Sequence, residues 1–200
     1  MDKMVCGIGF NSGKYPAFIN GVPVDEYTVW VNMLLRCTKK IQDKYPTYKG
    51  TTCSENFKSY SYFYKWYHKQ FNNGKRDENG KRWQLDKDLL VKGNKIYSED
   101  TCVFVPQRIN KLLIKPRQFS GGLPTGVTFK KSRNRYRAQC NIGTGVSKHL
   151  GDFKTSDEAF LAYKTFKEAF VKQVANEYKP YLDPRVYKSL MQYEVTLHKP

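Results

Sequence analysis

Residues 83–110 read WQLDKDLLVKGNKIYSEDTCVFVPQRIN. Leu85 leads into Asp86-Lys87-Asp88, Gly93-Asn94-Lys95 forms a turn signal, and Cys102-Val103-Phe104-Val105 has the composition of a short strand. Pro106 stands where a helix can begin, since proline loses nothing at a first helical position. Asn110 then falls about one turn into that helix. The pattern predicts strand, turn, strand and helix in one compact unit, bringing the Asp86 carboxylate and the Asn110 amide oxygen together. Hard oxygen ligands of this kind suit Mg²⁺ (or Mn²⁺), which keeps its other positions for water and phosphate.

These residues resemble the HNH, or ββα-metal, nuclease motif as it occurs in phage and intron-encoded homing endonucleases. Leu85-Asp86 matches the motif's opening, Gly93-Asn94-Lys95 its turn, residues 101–105 its second strand and Asn110 its last residue. The resemblance implies that Asp86 and Asn110 hold the metal. The histidine that activates water in the family falls on Lys87, and the asparagine that braces the hairpin falls on Thr101. A lysine titrates far above neutral pH, so as a general base Lys87 is out of range unless burial depresses it. Two outcomes stay open: catalysis is lost, or Lys87 stabilises transition-state charge while the metal supplies hydroxide. Asp86-Lys87-Asp88 also satisfies a plain charged turn, with Asn110 on a helix surface.

The 200 residues allow one mid-sized or two small domains. Thirty-five lysines and arginines against 18 acids give a formal charge of +17, which points first to an acidic polymer as partner. No apolar run approaches the ~20 residues of a membrane span, and the first residues lack a signal-sequence pattern, so a cytoplasmic setting is expected. Cys6, Cys37, Cys53, Cys102 and Cys140 are scattered, without a Cys-x-x-Cys pair, which predicts reduced thiols and no zinc knuckle.

Residues 1–24 are rich in glycine and proline and read as loops with a short hairpin. The fragment at residues 7–13, GIGFNSG, has no flanking strand and helix that would make it a phosphate loop. From Asp25 to about Lys40, Tyr27, Trp30, Val31, Leu34 and Leu35 recur at helical spacing. A second helix is expected from Ser54, in which Phe57, Tyr60, Tyr64 and Tyr67 alternate with Lys58, Lys65 and Lys69. That stripe serves either as a core face or as a stacking surface for bases. His68 lies on it, the one histidine upstream of the motif that could replace the missing base.

Beyond Lys115-Pro116, residues 117–125 read as a linker. Three alternating segments follow, at residues 125–129, 135–140 and 148–153, which predict a three-stranded antiparallel sheet. Thr155 and Glu158 form a capping box that opens a long helix with Ala159, Ala162, Tyr163, Phe166, Ala169, Phe170 and Val174 on its apolar face. A further helix is expected through Val186, Leu190 and Tyr193.

This half is similar to the AP2, or ethylene-response-factor type, DNA-binding domain, which also accompanies nuclease motifs in phage homing endonucleases. Gly126-Val127, Tyr136-Arg137-Ala138, Leu150-Gly151-x-Phe153 and Glu158-Ala159 with Ala162-Tyr163 match its successive signatures. The resemblance implies that the sheet enters the major groove, with Lys130, Lys131, Arg133, Arg135, Arg137 and Lys148 as DNA-binding residues. Independently of it, residues 126–148 hold six basic side chains and no acidic one. Arginines on alternating positions reach guanine edges, whereas lysines hold phosphates.

The expectation is therefore an α+β chain: residues 1–116, a helical region with an HNH-like ββα-metal unit, a linker at 117–125, and residues 126–200, an AP2-like sheet on one long helix. The implied function is that of a homing-type endonuclease or nickase relative acting on double-stranded DNA. The competing class is an inactive nuclease fold that serves as a DNA-binding regulator or as an inhibitor bound to a host protein. RNA fits the charge and the aromatics as well as DNA does.

Overall fold

The computed structural model describes residues 2–114, 122–143 and 145–196. Lys115, Pro116, the first part of the expected linker (117–121) and His198 lie outside the described residues. The fold is mixed α+β, and the chain divides into two compact units between Pro106 and Gln107. No helix among the described residues is long and apolar enough to cross a membrane.

The first unit begins with two small antiparallel hairpins, β1 (Lys3–Val5) with β2 (Gly9–Asn11), and β3 (Phe18–Ile19) with β4 (Val22–Pro23). Asn20 and Gly21 turn the second with φ of 48° and 77°, the left-handed pair that a tight hairpin demands. Gly9 has a different reason to be glycine. A Cβ there would lie 2.5 Å from Leu34 and 2.7 Å from Trp30, so β2 touches the helix behind it only without a side chain.

Helix α1 (Asp25–Cys37) buries Trp30 and Leu34 of the expected set together with Met33, while Tyr27 and Val31 are half-buried and Leu35 is exposed. It stops earlier than expected because Thr38 is extended and its hydroxyl accepts the amide of Ile41, starting α2 (Lys39–Lys44) afresh. The same device divides the second expected helix. After β5 (Thr52–Cys53) comes a 3₁₀ turn at Asn56–Lys58, and then extended Ser59 caps α3 (Tyr60–Lys69). In both places a hydroxyl side chain competes with the helix for a backbone amide, and the helix restarts.

Of the expected aromatic stripe Phe57, Tyr60 and Tyr67 are buried and Tyr64 is half-buried, and Phe63 and Trp66 join them in the core. Phe57 meets Phe63 and Trp66 edge-on at 5.1 and 4.7 Å, and the Trp30 indole donates to the Phe57 carbonyl at 2.7 Å. Burial of rings like these contributes about 1.5–3 kcal/mol each. Strand β6 (Gln84–Asp86) pairs antiparallel with β8 (Val103–Val105), Asp86 opposite Val103. Between them β7 (Ile96–Tyr97) leaves to pair in parallel with β5.

The second unit opens with α4 (Gln107–Leu113), which buries Ile109 and Leu112. Strands β9 (Val127–Lys130), β10 (Arg135–Asn141) and β11 (Ser147–Phe153) form an antiparallel sheet with β10 in the centre. Helix α5 (Ser156–Tyr178) packs across it, opened by the reciprocal capping box of Thr155 and Glu158. Val127, Ala138 and Ala159 meet at the sheet-helix centre with Tyr136, Leu150 and Phe153 around them, and Cys140, Tyr163 and Val195 extend that core. The short helix α6 (Pro184–Met191) adds Val186 and Leu190 to the interior. One turn of α5 departs from the apolar pattern: Ala169 is exposed, and the buried stripe passes through Lys167. Its ammonium is stabilised there by donating to the Leu112 carbonyl at the end of α4.

Candidate functional site

The sheet of the second unit has one face covered by α5 and one left open. Alternation along β10 assigns Tyr136, Ala138 and Cys140 to the helix side, where all three pack, and Arg135, Arg137, Gln139 and Asn141 to the other. On β9, Lys130 stands opposite Arg135, and Thr128 opposite Arg137. The turn between β9 and β10, which contains Lys131 and Arg133, closes on Asn134 at φ 50°. Lys131, Arg133 and Arg135 are exposed.

Asp152 answers two of these cations, Arg137 and Arg133. Asp152, on β11 directly opposite Arg137, takes a forked pair from it: Arg137 Nε to Oδ1 at 2.8 Å and Nη2 to Oδ2 at 3.2 Å. Arg133 Nη1 reaches the same carboxylate at 3.3 Å, and His149 Nε2 at 3.1 Å. Arg137, then His149, hold the Asp152 carboxyl well below the usual carboxylate range, and Asp152 in turn raises the Arg137 guanidinium. Asp152 lies just beyond the acid-free basic stretch, so the charge pattern of the sequence did not bring it forward.

Lys148 takes a different place from the arginines. It pairs with Cys140, and its ammonium lies 4.9 Å from the Phe166 ring centroid on α5. The cause is a β-bulge. The register shifts between Ala138 and Gln139, so Gly151 pairs with Ala138 but His149 with Gln139, leaving Leu150 as the extra residue. An extra residue reverses the facing of everything beyond it: Leu150 packs into the core, His149 joins Asp152 on the open face, and Lys148 turns to the helix side.

In the first unit, Asp86 ends β6 and folds the next residues around its own carboxylate. Its Oδ1 accepts the amides of Asp88 and Leu89 at 2.9 and 2.7 Å. Burial, and then the neighbouring Asp88 charge, push the Asp86 carboxyl up to about 6. Lys87 is buried, only 7% exposed, and its ammonium has three partners: the Asn94 carbonyl at 3.1 Å, the Asp88 carboxylate at 3.5 Å and the Tyr97 ring at 5.7 Å. Asn94 is braced in return, its amide donating to the carbonyls of Lys87 and Ile96. Thr101 bonds Ser98 and the Ile96 carbonyl.

Asn110 lies on α4, so Asp86 belongs to the first unit and Asn110 to the second. His68 is engaged elsewhere, 3.4 Å from the Glu26 carboxylate and against the Tyr64 ring. Among the described residues no group of three His, Cys, Asp or Glu side chains converges as a cation cage. Asp86 with its neighbour Asp88 still fits Mg²⁺, which is commonly held by one or two carboxylates with water and phosphate completing its shell. The five cysteines are free thiols, Cys102 and Cys140 buried.

Comparisons of the chain with protein-family models, curated proteins and solved structures returned no match.

Proposed function

We propose that this protein binds double-stranded DNA through the open face of the β9–β11 sheet. The observation that carries the reading is the arrangement of Lys130, Arg135 and Arg137 on one solvent-facing sheet surface, backed by α5 on the other, in a chain of formal charge +17. A two- or three-stranded ribbon fits the major groove, where arginines read guanine and lysines neutralise phosphate. Lys131 and Arg133 extend the patch at one end. The resemblance to AP2 domains supports the same use of the sheet. Fluorescence anisotropy with a labelled 25-bp duplex, a single strand and an RNA hairpin across a salt series tests it. Duplex DNA binds tightest, with log affinity falling steeply against log salt. Equal affinity for the RNA hairpin would move the reading to RNA.

A second reading, metal-dependent nicking, is favoured by the Asp86–Asp88 pair. Burial, and then the Asp88 charge, raise the Asp86 carboxyl, an imbalance that a divalent cation would relieve. Asp86 would hold Mg²⁺ or Mn²⁺, and the ion would supply activated water for phosphodiester hydrolysis. Supercoiled plasmid relaxed by the wild-type chain with Mg²⁺ or Mn²⁺, but not by Asp86→Ala, supports it. A plasmid left intact by both, with DNA still bound, leaves recognition alone as the function.

A further inference from the structure

We infer that Asp152 is the positioning residue of the open sheet face, fixing Arg137 in one orientation and so setting base preference rather than overall affinity. This rests on the duplex-binding reading above. The Asp152 carboxylate engages the Nε and Nη2 edge of Arg137 in a forked pair and leaves the Nη1 end of the guanidinium directed away from it. A guanine accepts two hydrogen bonds from the end of an arginine, at O6 and N7, so an arginine held from its side is already shaped for that contact. An unclamped arginine must give up its rotamer freedom on binding, and the clamp removes part of that cost.

Its location argues for positioning over general stability. Asp152 stands on the face away from the core, its ion pair with Arg137 only partly shielded from solvent, and ion pairs at a surface add little to folding. A carboxylate in a cationic surface also weakens attraction to phosphate, a disadvantage unless it orders the cations around it. The side chains it gathers are Arg137, Arg133 and His149, which reach it from β10, from the β9–β10 turn and from across the bulge. The bulge thus contributes directly, since it brings His149 to the open face.

Selection of the full-length chain on a randomised 20-bp duplex library, followed by affinities for the selected site and its guanine substitutions, tests the inference. Wild type enriches a guanine-containing site. Asp152→Asn lowers discrimination at one guanine by about tenfold or more, the size of one bidentate contact, while unselected duplex binds as well or better. Asp152→Glu, which keeps the charge and displaces it by one methylene, loses discrimination to an intermediate degree and serves if the asparagine variant does not fold. In an Arg137→Lys background, Asp152→Asn has no further effect on discrimination, because the two act as one unit. Retained discrimination in both Asp152 variants, equal weakening on all duplexes, or independent additive effects would overturn the inference. Wild-type binding without any base preference overturns it too and leaves duplex binding standing, whereas no duplex binding at all removes the reading beneath it.

Discussion

Lys87 and Asn94 hold each other through reciprocal hydrogen bonds: the Lys87 ammonium donates to the Asn94 carbonyl at 3.1 Å, and the Asn94 side-chain amide donates to the Lys87 carbonyl at 2.7 Å. Lys87 is therefore a brace across the loop between β6 and β7. Lys87→Met keeps most of the buried stem and removes the ammonium, leaving the Asn94 carbonyl without its donor. The expected cost is about 1–3 kcal/mol of stability, read from urea denaturation. If the chain nicks plasmid, Lys87→Met retains that activity and Asp86→Ala abolishes it. Loss of nicking in a folded Lys87→Met would make the ammonium a participant in the chemistry.

Gly126 is required where β9 meets α5. Its φ is 81°, and a Cβ there would lie 2.2 Å from the Tyr163 ring. Gly126→Ala has to adopt a left-handed backbone and displace a buried aromatic, so the second unit loses on the order of 2–4 kcal/mol. A denaturation midpoint unchanged from wild type would mean that the sheet does not approach the helix in this way.

The Asp152 carboxyl is depressed by Arg137 and His149, so its ionised form favours the folded state. The stabilisation is present above the ordinary carboxylate value and is lost as pH falls below about 4 toward the lowered folded value. Asp152→Asn accordingly is somewhat less stable than wild type near pH 7, converges with it in acid, and so flattens the acid limb of a stability-against-pH curve. An acid limb identical in both proteins would place the carboxylate outside any ion pair in solution.

Binding of duplex DNA through the open face predicts different effects for its arginines and lysines. Arg137→Ala relaxes sequence preference, with a cost of about 1–3 kcal/mol at the preferred site. Lys130→Ala weakens all duplexes alike and lowers the salt slope by about one. Competition binding between selected and scrambled duplexes distinguishes the two patterns.

Much of this architecture is legible in the chain because its signals are local. The Thr155–Glu158 box announces α5, alternation gives the three strands, and the strand–turn–strand reading ahead of Pro106 is met by the antiparallel pairing of residues 84–86 with 103–105. Less visible were features decided by competition between distant or subtle alternatives. Thr38 and Ser59 interrupt helices whose apolar spacing runs on through them, because a side-chain oxygen takes the amide that continuation would use. The parallel pairing of Thr52 with Ile96 joins segments far apart in sequence. At the candidate interface, the arginines of β10 follow from alternation alone. The facing of Lys148 and the part played by Asp152 do not, since both depend on one extra residue in β11.

The most direct test of the central claim compares two charge-matched triple variants of the full chain for duplex affinity across a salt series. One, Lys130→Ala with Arg135→Ala and Arg137→Ala, removes three cations from the open face. The other, Lys40→Ala with Lys44→Ala and Lys49→Ala, removes three exposed cations from the first unit. Binding through the sheet predicts that only the first variant loses affinity steeply and that its log–log salt slope falls by about three. Equal losses in the two variants would show that net charge, and not this face, holds the DNA.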